Sequence, residues 1–377
     1  MNLLFVCGGT AGHINPALAV ALEFRKRFPD CKILFVGAGK ELEKKLIPAA
    51  GFHLVNIKMS GLRRSFSPNS LLYNFSTIKN LTTAGIKAEK VLKRFSPVAV
   101  IGTGGYICYP ILKKAAQMGI HTVIHGSDAV PGLTTKMLSS TADKVLVSFP
   151  GLENLYRKPD RVEFTGTPVR AGFDTVCRET DGDEENKKPL VISFWGSLGA
   201  ERMNEAMSEF IKSNIEDGGF NHIHATGKNG VEIMKSRLKR LGVEGALPEG
   251  IKIVDYIEDM PKLMCKADLV LCRAGASTLA ELTTSGKPAV LVPSPYVTNN
   301  HQEANAEQLQ KAGGVVMVLE KDCYYNKLYD LVTKLLNDKD KLKKMSAAQK
   351  LLAVPNAAEK ITDIVLNLIN EKTSKNR

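Results

Sequence analysis

The sequence predicts two doubly wound α/β domains, each built on a parallel sheet, with a cleft between them. Short apolar runs of strand length alternate with helical stretches, which is the rhythm of βαβ units. The pattern occurs twice, and a polar, acid-rich segment without apolar periodicity, residues 171–189, separates the two series. The chain has 377 residues, of which 44% are hydrophobic, so it can bury more than one core.

The elements of each series follow from their apolar runs and helical periodicity. The first series predicts strands at 2–7, 32–36, 53–57, 98–102, 121–125, 145–148 and 162–165, with helical patterns between them, such as those at 16–28, 40–50 and 79–95. The second predicts strands at 190–194, 222–226, 251–254, 268–272, 288–292 and 315–318, and helices at 200–213, 229–240, 259–265, 277–285 and 302–312. We expect an exposed basic helix at 325–352. We expect domains at 1–170 and 190–354, with a final helix at about 355–370 packing back on the first domain.

Charge is distributed unevenly along the chain. The net charge is +12, and residues 1–170 alone hold 23 Lys and Arg against 10 Asp and Glu. A basic half suggests a nucleic acid, an anionic membrane or an anionic substrate as partner, and a solubilising surface is the alternative. The seven cysteines show no CxxC spacing, so no zinc site is indicated.

The first glycine turn, Gly8-Gly9-Thr10-Ala11-Gly12-His13, directly follows an apolar strand. A strand, a glycine turn and a helix in this order offer backbone N–H groups to an anion or a sugar. Asn15 is a good N-cap and Pro16 suits the first helical position, so the helix should start there. His13 is a candidate proton carrier, because imidazole titrates near neutral pH, or else a structural histidine. The dinucleotide fingerprint G-x-G-x-x-G fails at Thr10.

Further polar turns follow other strands of both series. Gly102–Tyr106 and His125–Asp128 should lie at the same sheet edge as the first turn, because carboxyl ends of parallel strands share an edge. In the second series, residues 195–200 and 273–278 are candidate phosphate cradles, and the amide-rich segment 298–306 suits sugar hydroxyls. The two Asp-x-Asp triplets lie in the linker and in a lysine-rich helix, so we expect no metal and no other cofactor.

Taken in order, these motifs resemble the MurG glycosyltransferases, which complete lipid II in peptidoglycan synthesis. The resemblance covers about residues 1–365 and rests on seven segments: GGTAGHINPALAVA (8–21), GTGGYICYP (102–110), VPGLTTKMLSSTADKV (130–145), GTPVR (166–170), GSLGA (196–200), CRAGASTLAEL (272–282) and VTNNHQEANA (297–306). It implies a glycosyltransferase-B fold and inverting transfer of N-acetylglucosamine from UDP-N-acetylglucosamine to the 4-hydroxyl of the muramyl sugar of lipid I.

The resemblance also implies roles for single residues. His13 is the expected base, and the helix N-termini and Arg170 are expected to stabilise the leaving UDP. The donor-binding residues it implies are Thr10, Ala11, Gly12, Arg170, Ser197, Ile257, Met260, Glu281, Gln302 and Asn305. The acceptor-binding residues it implies are Gly104, Tyr106, His125 and Asp128.

The implied partners are UDP-N-acetylglucosamine, undecaprenyl-linked lipid I and an anionic membrane surface, with cell-wall and division proteins as further candidates and no nucleic acid. The implied location is the cytoplasmic side of the plasma membrane, held peripherally. Residues 61–79 mix apolar side chains with cations, a composition typical of an interfacial helix, and an ordinary core helix is the alternative.

The chain departs from the family pattern at five positions. Gly126 stands where the family has a glutamate, Asp128 where it has an asparagine, and Thr167 replaces another asparagine. Ala11 and Trp195 stand where glycine is usual. These departures leave two alternatives to lipid II synthesis: a donor-binding cell-wall scaffold with weak or no activity, or a transferase with another lipid-linked acceptor.

Overall fold

The computed structural model describes residues 1–57, 59, 83–170, 172–173, 188–196 and 199–375. Contacts divide the chain into two compact units: Met1–Arg170 with Asn356–Arg377, and Ala171–Pro355. Most of the proposed linker, the segment 61–79 and Ser197 lie outside the described residues. Among those described, no helix is both long and apolar enough to cross a lipid bilayer.

The N-terminal unit is built on a seven-stranded parallel sheet. Its strands are β1 (Asn2–Val6), β2 (Lys32–Gly37), β3 (His53–Asn56), β4 (Ala99–Gly102), β5 (His121–Gly126), β6 (Lys144–Val147) and β7 (Val162–Phe164). Its helices are α1 (Ala11–Arg27), α2 (Glu41–Ala49), α3 (83–95), α4 (Cys108–Gln117) and α5 (Leu133–Leu138). Apolar clusters cover both faces of the sheet, because every central strand is buried on both sides.

The strand order of this sheet is β3-β2-β1-β4-β5-β6-β7, so its winding direction reverses between β1 and β4. The register pairs Val6 with Gly102, and both strands therefore end at the same level. Ligands of doubly wound sheets bind beyond the carboxyl ends of the strands at this reversal. The turns after β1 and β4 thus meet where a ligand site is expected.

The C-terminal unit repeats the design with six parallel strands in the order β10-β9-β8-β11-β12-β13. The strands are β8 (Leu190–Phe194), β9 (Asn221–Ala225), β10 (Ile251–Val254), β11 (Leu269–Cys272), β12 (Ala289–Leu291) and β13 (Val315–Met317). The helices are α6 (Glu201–Asp217), α7 (Val231–Arg240), α8 (Met260–Lys266), α9 (Ala276–Ser285), α10 (His301–Lys311), α11 (Lys327–Leu336) and α12 (Lys339–Leu352). The winding reverses between β8 and β11, whose ends pair Phe194 with Cys272.

The last helix, α13 (Ala357–Lys375), belongs to the N-terminal unit. It packs on α1, where Ile361 and Val365 join the apolar cluster beneath the sheet. An ion pair of 2.5 Å between Arg27 Nη1 and Asp363 Oδ1 joins the same two helices at the surface.

Two helix predictions were wrong. Helix α1 begins at Ala11 instead of Pro16, with extended Thr10 as its N-cap and the proline inside the helix. The fixed φ of proline suits a helix, so its missing N–H costs one bond near the helix start without ending the helix. The predicted helix at 325–352 is two helices, because the Asp338 carboxylate accepts from the Lys341 N–H and starts a new one. The first of these, α11, is not exposed throughout, since Leu328 and Val332 are buried.

Candidate active site

The two glycine turns of the N-terminal unit pack directly against each other. Gly105 has a φ of +87°, and a Cβ there would lie 2.7 Å from the Gly8 carbonyl oxygen. A Cβ on Gly104, where φ is +122°, would overlap the His13 ring, and one on Gly8 would lie 2.9 Å from Ile107 Cγ2. Close approach requires glycine at all three positions, and at Gly104 and Gly105 the positive φ requires it as well.

His13 lies in the first turn of α1 with its ring against Gly104. Its Nδ1 lies 2.8 Å from the Gly8 carbonyl oxygen. A carbonyl only accepts hydrogen bonds, so Nδ1 carries a hydrogen, and in the neutral form of the ring the lone pair is on Nε2. The Thr103 hydroxyl donates to the His13 carbonyl at 2.6 Å and ties the start of α1 to the second turn. The arrangement suits a general base whose tautomer is fixed by the backbone.

Glu43, in the first turn of α2, accepts a hydrogen bond from the first glycine turn. The sequence analysis did not assign it a role. Its carboxylate is fully buried. Oε1 accepts from the Gly9 N–H at 3.0 Å, and Oε2 accepts from the N–H groups of Gly39 at 2.8 Å and Lys40 at 3.1 Å. Three charge-assisted bonds offset the cost of burying the carboxylate. The only sequence signal was an acidic residue in a predicted first helical turn, which is usually solvated.

His125 is buried at the end of β5 with both ring nitrogens engaged. Nε2 donates to the Gly166 carbonyl at 2.9 Å, and Nδ1 accepts from the Ser127 hydroxyl at 3.3 Å. Its pKa is lowered to about 4, chiefly because burial disfavours the charged ring, against the opposing effects of the Gly166 bond and the Asp128 charge. His125 is therefore neutral near pH 7 and positions the loop that begins at Gly166.

Gly126 occupies a closed space. A Cβ there would lie 3.1 Å from the hydroxyl oxygen of Tyr156 and 3.3 Å from Thr135 Cγ2. Tyr156 is buried, and its hydroxyl has no hydrogen-bond partner among the described residues. Burial, with a smaller effect of the Asp128 charge, raises the pKa of Tyr156 to about 12. A neutral phenol thus lies where a side chain at position 126 would begin.

The other residues assigned to the N-terminal unit have the following places. Thr10, Ala11 and Gly12 form the N-cap and first two positions of α1. The Tyr106 hydroxyl donates to the Met59 carbonyl at 3.0 Å. Asp128 is half-buried two residues beyond β5, and Arg170 is the last residue of the unit's first segment.

A cavity of about 500 Å³ lies in the C-terminal unit, beyond the ends of the two strands where the winding reverses. Its size is typical of small-molecule sites. Its wall includes the N-terminal regions of α6 and α9, whose N–H groups and dipoles favour an anion. The lining residues are Phe194, Trp195, Gly196, Gly199, Ala200, Glu201, Arg202, Arg273, Gly275, Thr278, Ser294, Tyr296, Gln302 and Glu320.

A buried ion pair between Arg273 and Glu320 organises the wall of this cavity. The Arg273 Nη1 also donates to the carbonyls of Val292 at 3.0 Å and Pro293 at 3.2 Å. The Tyr296 hydroxyl donates to the other Glu320 oxygen at 3.1 Å. The arginine therefore joins the loops that follow β11, β12 and β13, a role that the sequence reasoning did not assign.

The assigned donor residues of this unit are distributed around and beyond the cavity wall. Gln302 lines the cavity, and its Oε1 accepts from the Ser294 N–H at 2.9 Å. Asn305 is buried, and its amide donates to the Ala274 carbonyl at 3.2 Å. Glu281 is buried in α9. Ile257 and Met260 are buried near the start of α8, after β10 at the sheet edge. Their roles remain predictions.

The described part of the chain gives no support for a metal site or for Cys7 or Cys108 as a nucleophile. No group of three or more His, Cys, Asp or Glu side chains there could hold a metal ion. Burial raises the pKa of Cys108 to about 12 and also raises that of Cys7 well above its usual value, so neither thiol is a ready nucleophile.

Comparisons with known proteins agree with this geometry. Residues 3–147 match the glycosyltransferase family 28 N-terminal domain, and residues 190–361 match its C-terminal domain. A protein of Acetivibrio thermocellus is 41% identical over 99% of this chain and 100% of its own length. It is named UDP-N-acetylglucosamine–N-acetylmuramyl-(pentapeptide) pyrophosphoryl-undecaprenol N-acetylglucosamine transferase. The chain belongs to the MurG family of glycosyltransferases.

Other members of the MurG family extend the match. A transferase of the same name from Caldanaerobacter subterraneus is 41% identical over 97% of this chain and 99% of its own. The crystal structure of MurG from Acinetobacter baumannii matches with a TM-score of 0.73 and 26% identity over 97% of this chain and 100% of that one. The predicted fold class, two parallel-sheet domains of the glycosyltransferase-B type, is confirmed.

Replacing Glu43 by glutamine should loosen the first glycine turn. An amide places an N–H₂ group against backbone donors, so at least one buried N–H loses its acceptor, at a cost of about 1–3 kcal/mol. We expect a lower free energy of unfolding in urea and faster amide hydrogen exchange in peptides covering residues 8–12 and 38–41. Glu41→Gln, at an exposed acid of the same helix, is the control. Equal exchange in the two variants would contradict this role.

Introducing the family's glutamate at Gly126 should destabilise the unit, because its Cβ meets the Tyr156 hydroxyl. We expect Gly126→Glu to lower the free energy of unfolding by about 1–3 kcal/mol, the usual cost of overpacking. Tyr156→Phe should recover part of that loss, since it removes the hydroxyl oxygen that the new Cβ would meet at 3.1 Å.

A double-mutant cycle in urea measures this coupling. Gly132→Glu is the matched control, because a Cβ at Gly132 meets no atom within 4 Å. Strictly additive effects of Gly126→Glu and Tyr156→Phe would show that the two side chains do not compete for the same space.

Proposed function

We propose that this chain transfers N-acetylglucosamine from UDP-N-acetylglucosamine to the 4-hydroxyl of the muramyl sugar of lipid I, giving lipid II. The observation that carries this function is the full-length 41% identity to a transferase named for that reaction. The cavity of the C-terminal unit supports a nucleotide-sugar donor, because two helix N-termini and the exposed Arg202 favour its diphosphate. Among the described residues, Arg202 has no carboxylate within ion-pair distance.

His13 acts as the base in this proposal. Its Nε2 takes the proton of the acceptor hydroxyl while that oxygen bonds to the anomeric carbon of the donor and the bond to UDP breaks. Attack from the face opposite UDP inverts the anomeric carbon. Arg170 and the helix N-termini stabilise the negative charge that develops on the leaving diphosphate. Gln302 and Asn305 hold the donor sugar, and Glu281 holds the ribose.

The acceptor lies at the glycine turns of the N-terminal unit. The lipid I pyrophosphate lies near these turns, and Thr10, Ala11 and Gly12 at the start of α1 bind the donor. Gly104, Tyr106, His125 and Asp128 surround the acceptor. His125 acts in this site by holding the loop at Gly166, since both its nitrogens are already bonded.

Replacing His13 should separate chemistry from donor binding. With UDP-N-acetylglucosamine and a short-chain lipid I analogue, we expect His13→Gln to lower kcat by about 10²–10⁴-fold, the range for loss of a general base. The Kd for UDP, measured by calorimetry, should change less than about twofold. His53→Gln, at an exposed histidine of β3, is the control.

The same assay decides between the proposed functions. Turnover of His13→Gln at the wild-type rate would remove His13 as the base. UDP binding by the wild-type chain without transfer to any lipid-linked acceptor would instead support a scaffold protein. Transfer only to another lipid-linked acceptor would support the second alternative.

We further propose that the N-terminal unit binds an anionic membrane surface from the cytoplasmic side. Residues 1–170 hold 23 Lys and Arg against 10 Asp and Glu, which accounts for the whole excess positive charge of the chain. Helix α5 exposes Leu133 at 50% and Met137 at 44%, one turn apart on the same face, beside the exposed Lys136. Apolar side chains flanked by cations are typical of interfacial binding. This helix starts five residues after Asp128, which would place the lipid-linked acceptor near the membrane.

Removing these apolar contacts should weaken membrane binding. We expect Leu133→Gln/Met137→Gln to reduce co-sedimentation with phosphatidylcholine vesicles that contain phosphatidylglycerol, and added NaCl to reduce binding of the wild type. Ile233→Gln/Leu351→Gln, at exposed apolar residues of the C-terminal unit, is the control. Undiminished sedimentation of the α5 variant would exclude this helix as the contact.

A further inference from the structure

Tyr296 lies in the loop between β12 and α10 and borders the cavity of the C-terminal unit. It is 65% exposed, so apolar burial contributes little to holding its ring. Its hydroxyl donates to Glu320 Oε1 at 3.1 Å, and the other Glu320 oxygen pairs with Arg273. Arg273 is only 7% exposed and Glu320 only 6%. A bond to a buried ion pair therefore anchors an exposed aromatic ring at the cavity wall.

Arg202, the second residue of α6, borders the same cavity and is exposed to solvent. Its guanidinium carbon lies 5.7 Å from the centroid of the Tyr296 ring, within the range of a cation–π contact. A long side chain loses rotamer entropy when a ligand fixes it, so a contact that orders the side chain beforehand favours binding. The anchored ring of Tyr296 gives Arg202 such a contact.

The positive charge of Arg202 remains available to an anion in the cavity. Within the described part of the chain, no carboxylate lies within ion-pair distance of its guanidinium. Two acids of the cavity wall are engaged elsewhere: Glu201 faces Arg237 at 3.4 Å, and Glu320 accepts from Arg273 and Tyr296. The planar guanidinium can bind phosphate oxygens through two parallel hydrogen bonds. A ligand that carries phosphate groups therefore suits this wall.

We propose that Tyr296 is a positioning residue of the donor site, whose ring holds the Arg202 guanidinium where it binds the diphosphate of the nucleotide sugar. The contacts run from the buried pair of Arg273 and Glu320, through the Tyr296 hydroxyl, to the cation on α6. This inference rests on the proposed function, because it takes a nucleotide sugar as the ligand of the cavity.

Replacing Arg202 tests the phosphate contact. We expect Arg202→Gln to weaken UDP binding in calorimetry by about 10-fold or more, as for loss of a hydrogen bond between charged groups. Uridine, which has no phosphate, should lose less than about twofold. Arg240→Gln, at an exposed arginine that ends α7 outside the cavity wall, is the matched control for net charge. Added NaCl should weaken UDP binding more steeply in the wild type than in Arg202→Gln.

Replacing Tyr296 tests the positioning role through its dependence on Arg202. We expect Tyr296→Leu to weaken UDP binding by about three- to tenfold, the range for a cation–π contact that a ligand shields from water. In the Arg202→Gln background the same change should alter UDP affinity by less than about 1.5-fold, because the cation is gone. Tyr296→Phe, which keeps the ring, should lose less affinity than Tyr296→Leu.

Four outcomes would overturn the inference. These are equal UDP affinity in the wild type and Arg202→Gln, an equal effect of Tyr296→Leu in both backgrounds, a loss in Tyr296→Phe as large as in Tyr296→Leu, and an affinity loss confined to UDP-N-acetylglucosamine, which would place the contact on the sugar. Absence of any UDP binding by the wild type would overturn this inference and the proposed function together. UDP binding that depends on Arg202 and Tyr296 without transfer would overturn the proposed function alone.

Discussion

The buried carboxylate of Glu43 is the contact on which the arrangement of the N-terminal site depends. Its two oxygens accept from the N–H groups of Gly9, Gly39 and Lys40, which belong to the loops after β1 and β2. One side chain therefore fixes two neighbouring loops at the carboxyl edge of the sheet. With the first loop fixed, the Gly8 carbonyl is held both against Gly105 and at the Nδ1 of His13.

In the C-terminal unit, a buried arginine holds neighbouring loops together, where the N-terminal unit uses a buried carboxylate. Beyond the ends of β11, β12 and β13, backbone groups lose their partners in the sheet and need others. The Arg273 guanidinium donates to the carbonyls of Val292 and Pro293 and pairs with Glu320. In each unit, a buried ion satisfies backbone groups of neighbouring loops and so fixes the shape of the site. The acid serves N–H groups and the arginine serves carbonyls, because each binds only the complementary partner.

The sequence predicted the elements that depend on local pattern better than the contacts that depend on the fold. Apolar runs located all thirteen strands of the described chain to within about two residues, because buried parallel strands are apolar throughout. Helices α4 and α5 lie between predicted strands, as expected of βαβ units, but the sequence analysis gave no bounds for them. The roles of Glu43 and Arg273 could not be predicted, since both depend on loops brought together only by the sheet order. The start of α1 was predicted wrongly because Asn15 and Pro16 were taken as the N-cap and the first helical residue. In the structure the N-cap is Thr10, and Pro16 lies inside the helix.

The departures from the family pattern bear unequally on the chemistry. Gly126 lacks the expected carboxylate, and the hydroxyl of Tyr156, whose pKa burial raises to about 12, lies 3.1 Å from where a Cβ at this position would be. The Asp128 carboxylate remains nearby, since its charge acts on both Tyr156 and His125. The tautomer of His13 is set by the Gly8 carbonyl. The neighbours that a Cβ at position 126 would meet are Tyr156, Thr135 and the Leu146 carbonyl. In the proposed mechanism, the change at Gly126 therefore bears on the surroundings of the acceptor, whereas the contacts of His13 are with Gly8 and Gly104.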